Sequence, residues 1–156
     1  SNELDKLILI VKKEDKITAD IIEKNIGISK DFNIFEFQQA LGSKNILKSN
    51  RIVKYFAANP KAHPLVVTLG ILFLFFQKII TYKKLKDKSK NSVAVELKVN
   101  PYFVQQYSKA AHNYSQNKLL KIFSYLKEYD LKSKGVNNIS TSDGELLKEL
   151  VYKILH

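Results

Sequence analysis

Residues 64–80, PLVVTLGILFLFFQKII, constrain the fold more than any other part of this chain of 156 residues. Between Leu65 and Phe76 only Thr68 and Gly70 interrupt the large apolar side chains. The run is about two-thirds of the roughly 20 residues a membrane span needs, and Gln77 and Lys78 close it. A helix apolar on every side, in a chain with 26% charged residues, is expected at the centre of a soluble core. No membrane partner is implied. Pro64 suits the first helical position, where its missing N–H would have no intrahelical partner anyway. The helix is expected to continue through Tyr82 into the Lys-rich run 83–90, KKLKDKSK.

The remaining segments also read as helices, because strand-like alternation is never sustained over more than a few residues. Residues 4–13 place Leu4, Leu7, Ile8 and Val11 on one face. Thr18 is a natural N-cap for a short helix over 19–25, stopped by Gly27. Asn33-Ile34-Phe35-Glu36 has the form of a capping box, opening a helix that ends at Gly42. Asn45 caps another helix to about Ala58. Ser115 caps a long amphipathic helix with Leu119, Leu120, Phe123, Leu126 and Tyr129 facing inward and Gly135 as its stop. Ser142-Asp143-Gly144-Glu145 is a capping box for a last helix striped by Leu146, Leu147, Leu150, Val151, Ile154 and Leu155. About eight helices result, making an all-α bundle. Phe35, Phe37, Phe73, Phe75 and Phe76 are expected in its core.

Residues 92–107, SVAVELKVNPYFVQQY, have helix-turn-helix spacing: a short helix ending near Lys98, a Val-Asn-Pro turn, and a second helix entered through Pro101. The chain carries 26 Lys and Arg against 15 Asp and Glu, a formal charge of +11, which suits a polyanionic partner such as nucleic acid. Arg51 is its only Arg, however, and Arg is the better bidentate reader of bases. Where a recognition helix offers Arg, Asn, Gln or Ser, this chain has Pro101, Tyr102 and Phe103, and only Gln105 and Gln106 qualify. Val93, Ala94, Leu97, Val99, Val104 and Tyr107 are what any steeply crossing helix pair needs. Tyr102, Tyr107, Tyr114 and Tyr125 interleave with Lys and Gln, so each is weighed between base stacking and an ordinary half-buried helix surface.

No catalytic or metal-binding pattern emerges. There is no Cys, which removes disulfides and thiolate ligands. His63, His112 and His156 are scattered, without metal-ligand spacing. Gly42-Ser43-Lys44 lacks the earlier glycine and the strand-to-helix setting of a phosphate loop. Asp143 and Glu145 fall in a helix's first turn, where acidic residues serve the helix dipole. No cofactor is expected.

The order of motifs resembles one family, the delta subunit of bacterial DNA polymerase III. Asn2-Glu3-Leu4-Asp5-Lys6-Leu7 followed by Lys16-Ile17-Thr18-Ala19-Asp20 is similar to the helices ending that family's lid. Phe35-Glu36-Phe37-Gln38-Gln39-Ala40-Leu41 resembles the helix opening its next domain. Asn59-Pro60-Lys61-Ala62-His63-Pro64 resembles the entry to its central helix. Residues 97–135 resemble a signature in which Glu128, Leu131, Lys132, Ser133 and Gly135 occupy the matching positions. The chain departs from it at Lys98, where the family often has Gly, and in the strongly basic run 83–90.

The resemblance implies the end of the lid domain over 1–30, a two-helix remnant, and a helical collar domain over 31–156. It implies a non-catalytic clamp-loader subunit in DNA replication, cytoplasmic and nucleoid-associated. Its partners would be delta-prime and gamma/tau-type subunits, with the sliding clamp met only through an N-terminal domain absent here. Lys83, Lys84 and Lys86 are candidates for non-specific contact with primer-template phosphates. The competing reading, from another class, is a helix-turn-helix transcriptional regulator with residues 101–112 in the major groove.

Overall fold

The computed structural model describes residues 31–138 and 140–156. The expected helices over 4–13 and 19–25, with the Thr18 cap, lie outside them. Seven α-helices follow one another: α1 (Ile34–Gly42), α2 (Ile46–Ala58), α3 (Leu65–Lys84), α4 (Lys90–Leu97), α5 (Val104–Asn113), α6 (Gln116–Ser133) and α7 (Asp143–Leu155). One 3-10 turn, Pro101–Phe103, leads into α5. No strand occurs among the described residues, so the bundle is all-α.

The apolar run forms α3, and α1, α4, α5, α6 and α7 all pack against it. Neighbour by neighbour, α3, α6, α7, α2, α1 and α5 close a ring, with α4 docked on α3 and α5. Leu72, Phe75, Phe76 and Ile79 are buried along α3. Phe75 and Phe76 meet edge-on at 5.3 Å, Phe76 meets Tyr114 at 5.6 Å, and Phe37 meets Phe56 at 5.3 Å. Edge-to-face packing of this kind aligns a ring's positive rim with its neighbour's negative face. The apolar residues named for α7 are all buried.

Helix ends follow the caps read from the sequence. Asn45 Oδ1 accepts from Lys48 N–H at 3.1 Å, and Ser115 Oγ from Lys118 N–H at 3.1 Å. Ser142 Oγ accepts from Glu145 N–H at 3.3 Å, while the Glu145 carboxylate turns to Lys148 at 3.1 Å. Pro64 is the N-cap of α3 and lies one residue before its first turn.

As expected, α3 continues through Tyr82 into the Lys-rich run, and it ends there at Lys84. Cations spaced along 83–90 repel one another on a helix, and Asp87 offers the backbone an alternative by accepting from Ser89 N–H at 2.9 Å. As expected too, α1 ends at Gly42. The left-handed residue beyond it is Lys44, at φ 53°, with Asn45 N–H donating to Ala40 O at 2.9 Å. Gly42 itself is buried, where a Cβ would come within 3.2 Å of both Ala110 and Phe75. Its carbonyl accepts from Asn113 Nδ2 at 2.9 Å, and that of Leu41 from the Tyr114 hydroxyl at 2.6 Å. Two expectations are corrected. Leu120 is 54% exposed, and Ile122 takes its place in the core. Phe35 and Phe73 are exposed rather than core residues.

The turn after α4 repeats the Schellman pattern of helix termination. Lys98 sits at φ 56°, its N–H donating to Val95 O at 3.3 Å, while Val99 N–H donates to Ala94 O at 3.0 Å. Gly135 ends α6 in the same way at φ 91°, with Val136 N–H on Leu131 O at 3.0 Å. A side chain in this region of backbone space costs about 1 kcal/mol that glycine avoids. Lys98→Gly is therefore expected to raise unfolding stability by roughly 1 kcal/mol, and Gly135→Ala to lower it by a similar amount. Urea unfolding of the two variants beside the parent checks this, and a reversal of either sign would refute the strain assignment.

Candidate functional site

Only 39% of the most apolar stretch of α3 is buried, so five packed neighbours leave a face of it uncovered. Val66, Val67 and Leu74 stand about half-exposed there, at 49%, 55% and 56%. Phe73 joins them and meets Phe123 of α6 edge-on at 5.4 Å. Leu120 lies exposed one turn earlier on α6. Between α3 and α6 runs a groove of about 700 Å³, lined by Val66, Gly70, Phe73 and Phe123 with Lys127 and Asp130 on its polar side. Exposed apolar surface concentrated in this way marks an interaction site. Periodicity assigned these side chains to the core because it cannot count how many neighbours a helix will have.

The residues 128–135 form a staple between α6 and α7. Glu128 pairs with Lys132 at 3.0 Å and with Lys153 of α7 at 3.7 Å. Lys132 and Lys153 lie over the ring of buried Tyr129, at 4.8 and 5.1 Å. On the other side, Lys118 Nζ donates to Lys153 O at 2.8 Å, a cation at the negative end of α7. Leu131 and Lys132 contribute carbonyls, which accept from Val136 and Gly135 N–H at 3.0 Å each. Ser133 Oγ donates to Asp130 O at 2.6 Å. The roles of Glu128, Leu131, Lys132 and Gly135 are thus helix pairing and helix ending.

The helix, turn and second helix expected over 92–107 are present as α4, the 3-10 turn and α5. Val93, Ala94, Leu97, Val104 and Tyr107 are buried between the helices, whereas Tyr102 is 81% exposed and Phe103 is exposed beside it. Asn100 Oδ1 accepts from Tyr102 N–H at 2.9 Å and holds the 3-10 turn where a recognition helix would begin. Of the four tyrosines considered for stacking, Tyr107 and Tyr114 are core, and burial pushes both phenols above their ordinary pKa. Tyr125 is half-buried under Lys118 and Lys153.

Lys83 is half-buried, and Lys84 and Lys86 are exposed, at and just beyond the C-terminus of α3. Cations there oppose the helix dipole's negative end and need no ligand to account for them. His63 stacks on Phe56 at 3.8 Å. Among the described residues no three His, Asp or Glu gather as a metal site.

This all-α arrangement agrees with the family comparison. The family model for the DNA polymerase III delta subunit, C-terminal domain, matches residues 31–151. The chain belongs to this family. Comparison with curated proteins gives no match. The matched residues take in α1 to α6 and most of α7 of this delta C-terminal domain, including both the uncovered face of α3 and the staple at Glu128.

Hydrogen bonding from Lys132, with Lys153 close by, holds the Glu128 carboxyl below its ordinary value of 4.5. A carboxyl whose pKa is lower folded than unfolded stabilises the fold above the unfolded value. That contribution disappears as pH falls through the folded value. Because Glu128 remains 41% exposed, solvent screening limits the effect to about 0.2–1 kcal/mol. Glu128→Gln is expected to lower stability by that amount at pH 7 and to converge with the parent as pH falls through the lowered folded value of the carboxyl. Denaturant midpoints measured from pH 7 to 3 check it; parallel curves would exclude the pairing as a source of stability.

Proposed function

We propose that this domain is the collar of a clamp-loader delta subunit, acting in DNA replication by binding other subunits. The observation that carries the reading is the uncovered apolar face of α3. A domain that hides its six-helix ring yet exposes Val66, Val67, Phe73 and Leu74 keeps surface for a partner. Specific assemblies bury about 1,000 Å² or more, and packed helices supply that area. In this reading residues 31–156 are the collar and 1–30 the end of the lid. The partners are delta-prime and gamma/tau-type subunits, and the sliding clamp is met through a separate N-terminal domain. The chain contributes assembly rather than catalysis to a cytoplasmic, nucleoid-associated replication complex. Supporting this is the staple at Glu128, which fixes α6 against α7 and so holds the groove wall in place.

The formal charge of +11 adds non-specific attraction to primer-template DNA, with Lys83, Lys84 and Lys86 as phosphate contacts. Two experiments test the reading. Mixing the chain with delta-prime and gamma/tau-type subunits is expected to give a complex on gel filtration; no complex with either would sink the collar assignment. Titration with duplex DNA is expected to show weak binding that falls steeply with salt and varies little with sequence. A preference of about 10³-fold for one sequence would instead indicate a helix-turn-helix regulator. Reversing Lys83, Lys84 and Lys86 to Glu should weaken DNA binding several-fold, and unchanged affinity would remove them as contacts.

A further inference from the structure

Gly70 stands at the centre of the uncovered face of α3, and no contact among the described residues accounts for it. Glycine within a helix is destabilising relative to alanine, so it usually has a packing or backbone reason. Gly42 has one, with Ala110 and Phe75 each 3.2 Å from where its Cβ would stand. Gly144 has one, with Ala57 at 2.8 Å. Gly135 has a left-handed backbone. A Cβ on Gly70 would meet no atom within 4 Å. With Val66, Val67, Phe73 and Leu74 around it, Gly70 leaves a notch in an otherwise raised apolar surface. Packed helix axes lie about 8–10 Å apart, and a missing side chain at the crossing allows the nearer end of that range.

The rim of the groove indicates what kind of helix crosses there. Asp130 is already paired with Lys134 at 3.0 Å, so it offers little free negative charge. Lys127 lines the same groove and carries no ion pair among the described residues. The groove therefore presents one uncompensated cation. A second copy of the chain, itself at +11, would be repelled as a whole.

We propose that Gly70 is the crossing point for an amphipathic helix of a different, less basic subunit. That helix lies in the groove between α3 and α6, its apolar side chains against Val66, Phe73 and Phe123. It sets a carboxylate against Lys127. The inference rests on the collar reading and assigns its partner surface to one helix face.

The test uses the full chain and three variants, Gly70→Ala, Gly70→Leu and Lys127→Glu, titrated against purified delta-prime and gamma/tau-type subunits. Gly70→Ala is expected to raise the melting temperature of the free chain by about 2–4 °C, because the space is empty. Gly70→Leu is expected to keep the fold and weaken the complex about tenfold or more, as loss of a central contact does. Lys127→Glu is expected to weaken it several-fold and to lessen its salt dependence. Full affinity of Gly70→Leu and Lys127→Glu for both subunits, with the parent complex intact, would overturn the groove while leaving the collar reading standing. Absence of any parent complex would overturn both. A concentration-dependent dimer of the parent, lost in Gly70→Leu, would assign the groove to a second copy and overturn the hetero-partner.

Discussion

The structure depends on a helix with more apolar surface than its described neighbours cover. Burying α3 pulls α1, α4, α5, α6 and α7 onto it, and their mutual contacts then close the ring through α2. Each neighbour must present a matching apolar stripe, and each does: Phe37 on α1, Val93 and Leu97 on α4, Tyr107 and Ala110 on α5, Leu119 and Ile122 on α6, Ile154 on α7. The stripe facing away from those neighbours remains in water. At about 25 cal/mol per Å² of apolar area, leaving side chains such as Val67 and Leu74 exposed forgoes stabilisation the isolated domain would gain by burying them. A partner that covers them recovers it.

Around this centre, helix ends are set by local hydrogen bonding, and several are set without the residue best suited to the job. Lys44 and Lys98 both adopt the left-handed conformation that glycine takes at lower cost. In each case the turn is fixed by two carbonyl acceptors and by a buried leucine before it. Leu41 and Leu97 are buried just before these turns, so the backbone has little freedom to relax. At the end of α1 the Tyr114 hydroxyl and the Asn113 amide take up the last carbonyls as well. Local strain is tolerated there because tertiary contacts hold the end of the helix that enters the turn.

The same logic separates fold from function in the α4–α5 pair. Its helix-turn-helix spacing follows from packing two short helices against α3 and each other. The positions that would read bases hold Tyr102 and Phe103, which are exposed and lack the hydrogen-bonding pattern of a base reader. In the delta C-terminal domain α5 belongs to the ring and α4 docks on it.

Much of this was legible in residues 31–156 before any coordinate. Caps at Asn45, Ser115 and Ser142, the stop at Gly135 and the inward stripe of α7 each depend on near neighbours in sequence, where propensity and periodicity act. The family was legible too, because the order of its motifs survives even where single motifs are weak. What sequence periodicity could not settle was which apolar side chains meet a neighbour. Leu120, Phe35 and Phe73 have the spacing of core residues, yet the number and angle of packed helices left them in water. Gly42 read only as the last residue of α1, and its role in close approach was not legible because the neighbours that require it, Ala110 and Phe75, lie far along the chain. The sequence alone determined that this protein builds an all-α bundle with α3 as its most apolar helix. Only the tertiary structure decided which side of α3 the ring leaves open, since that is a matter of how many helices fit around one axis.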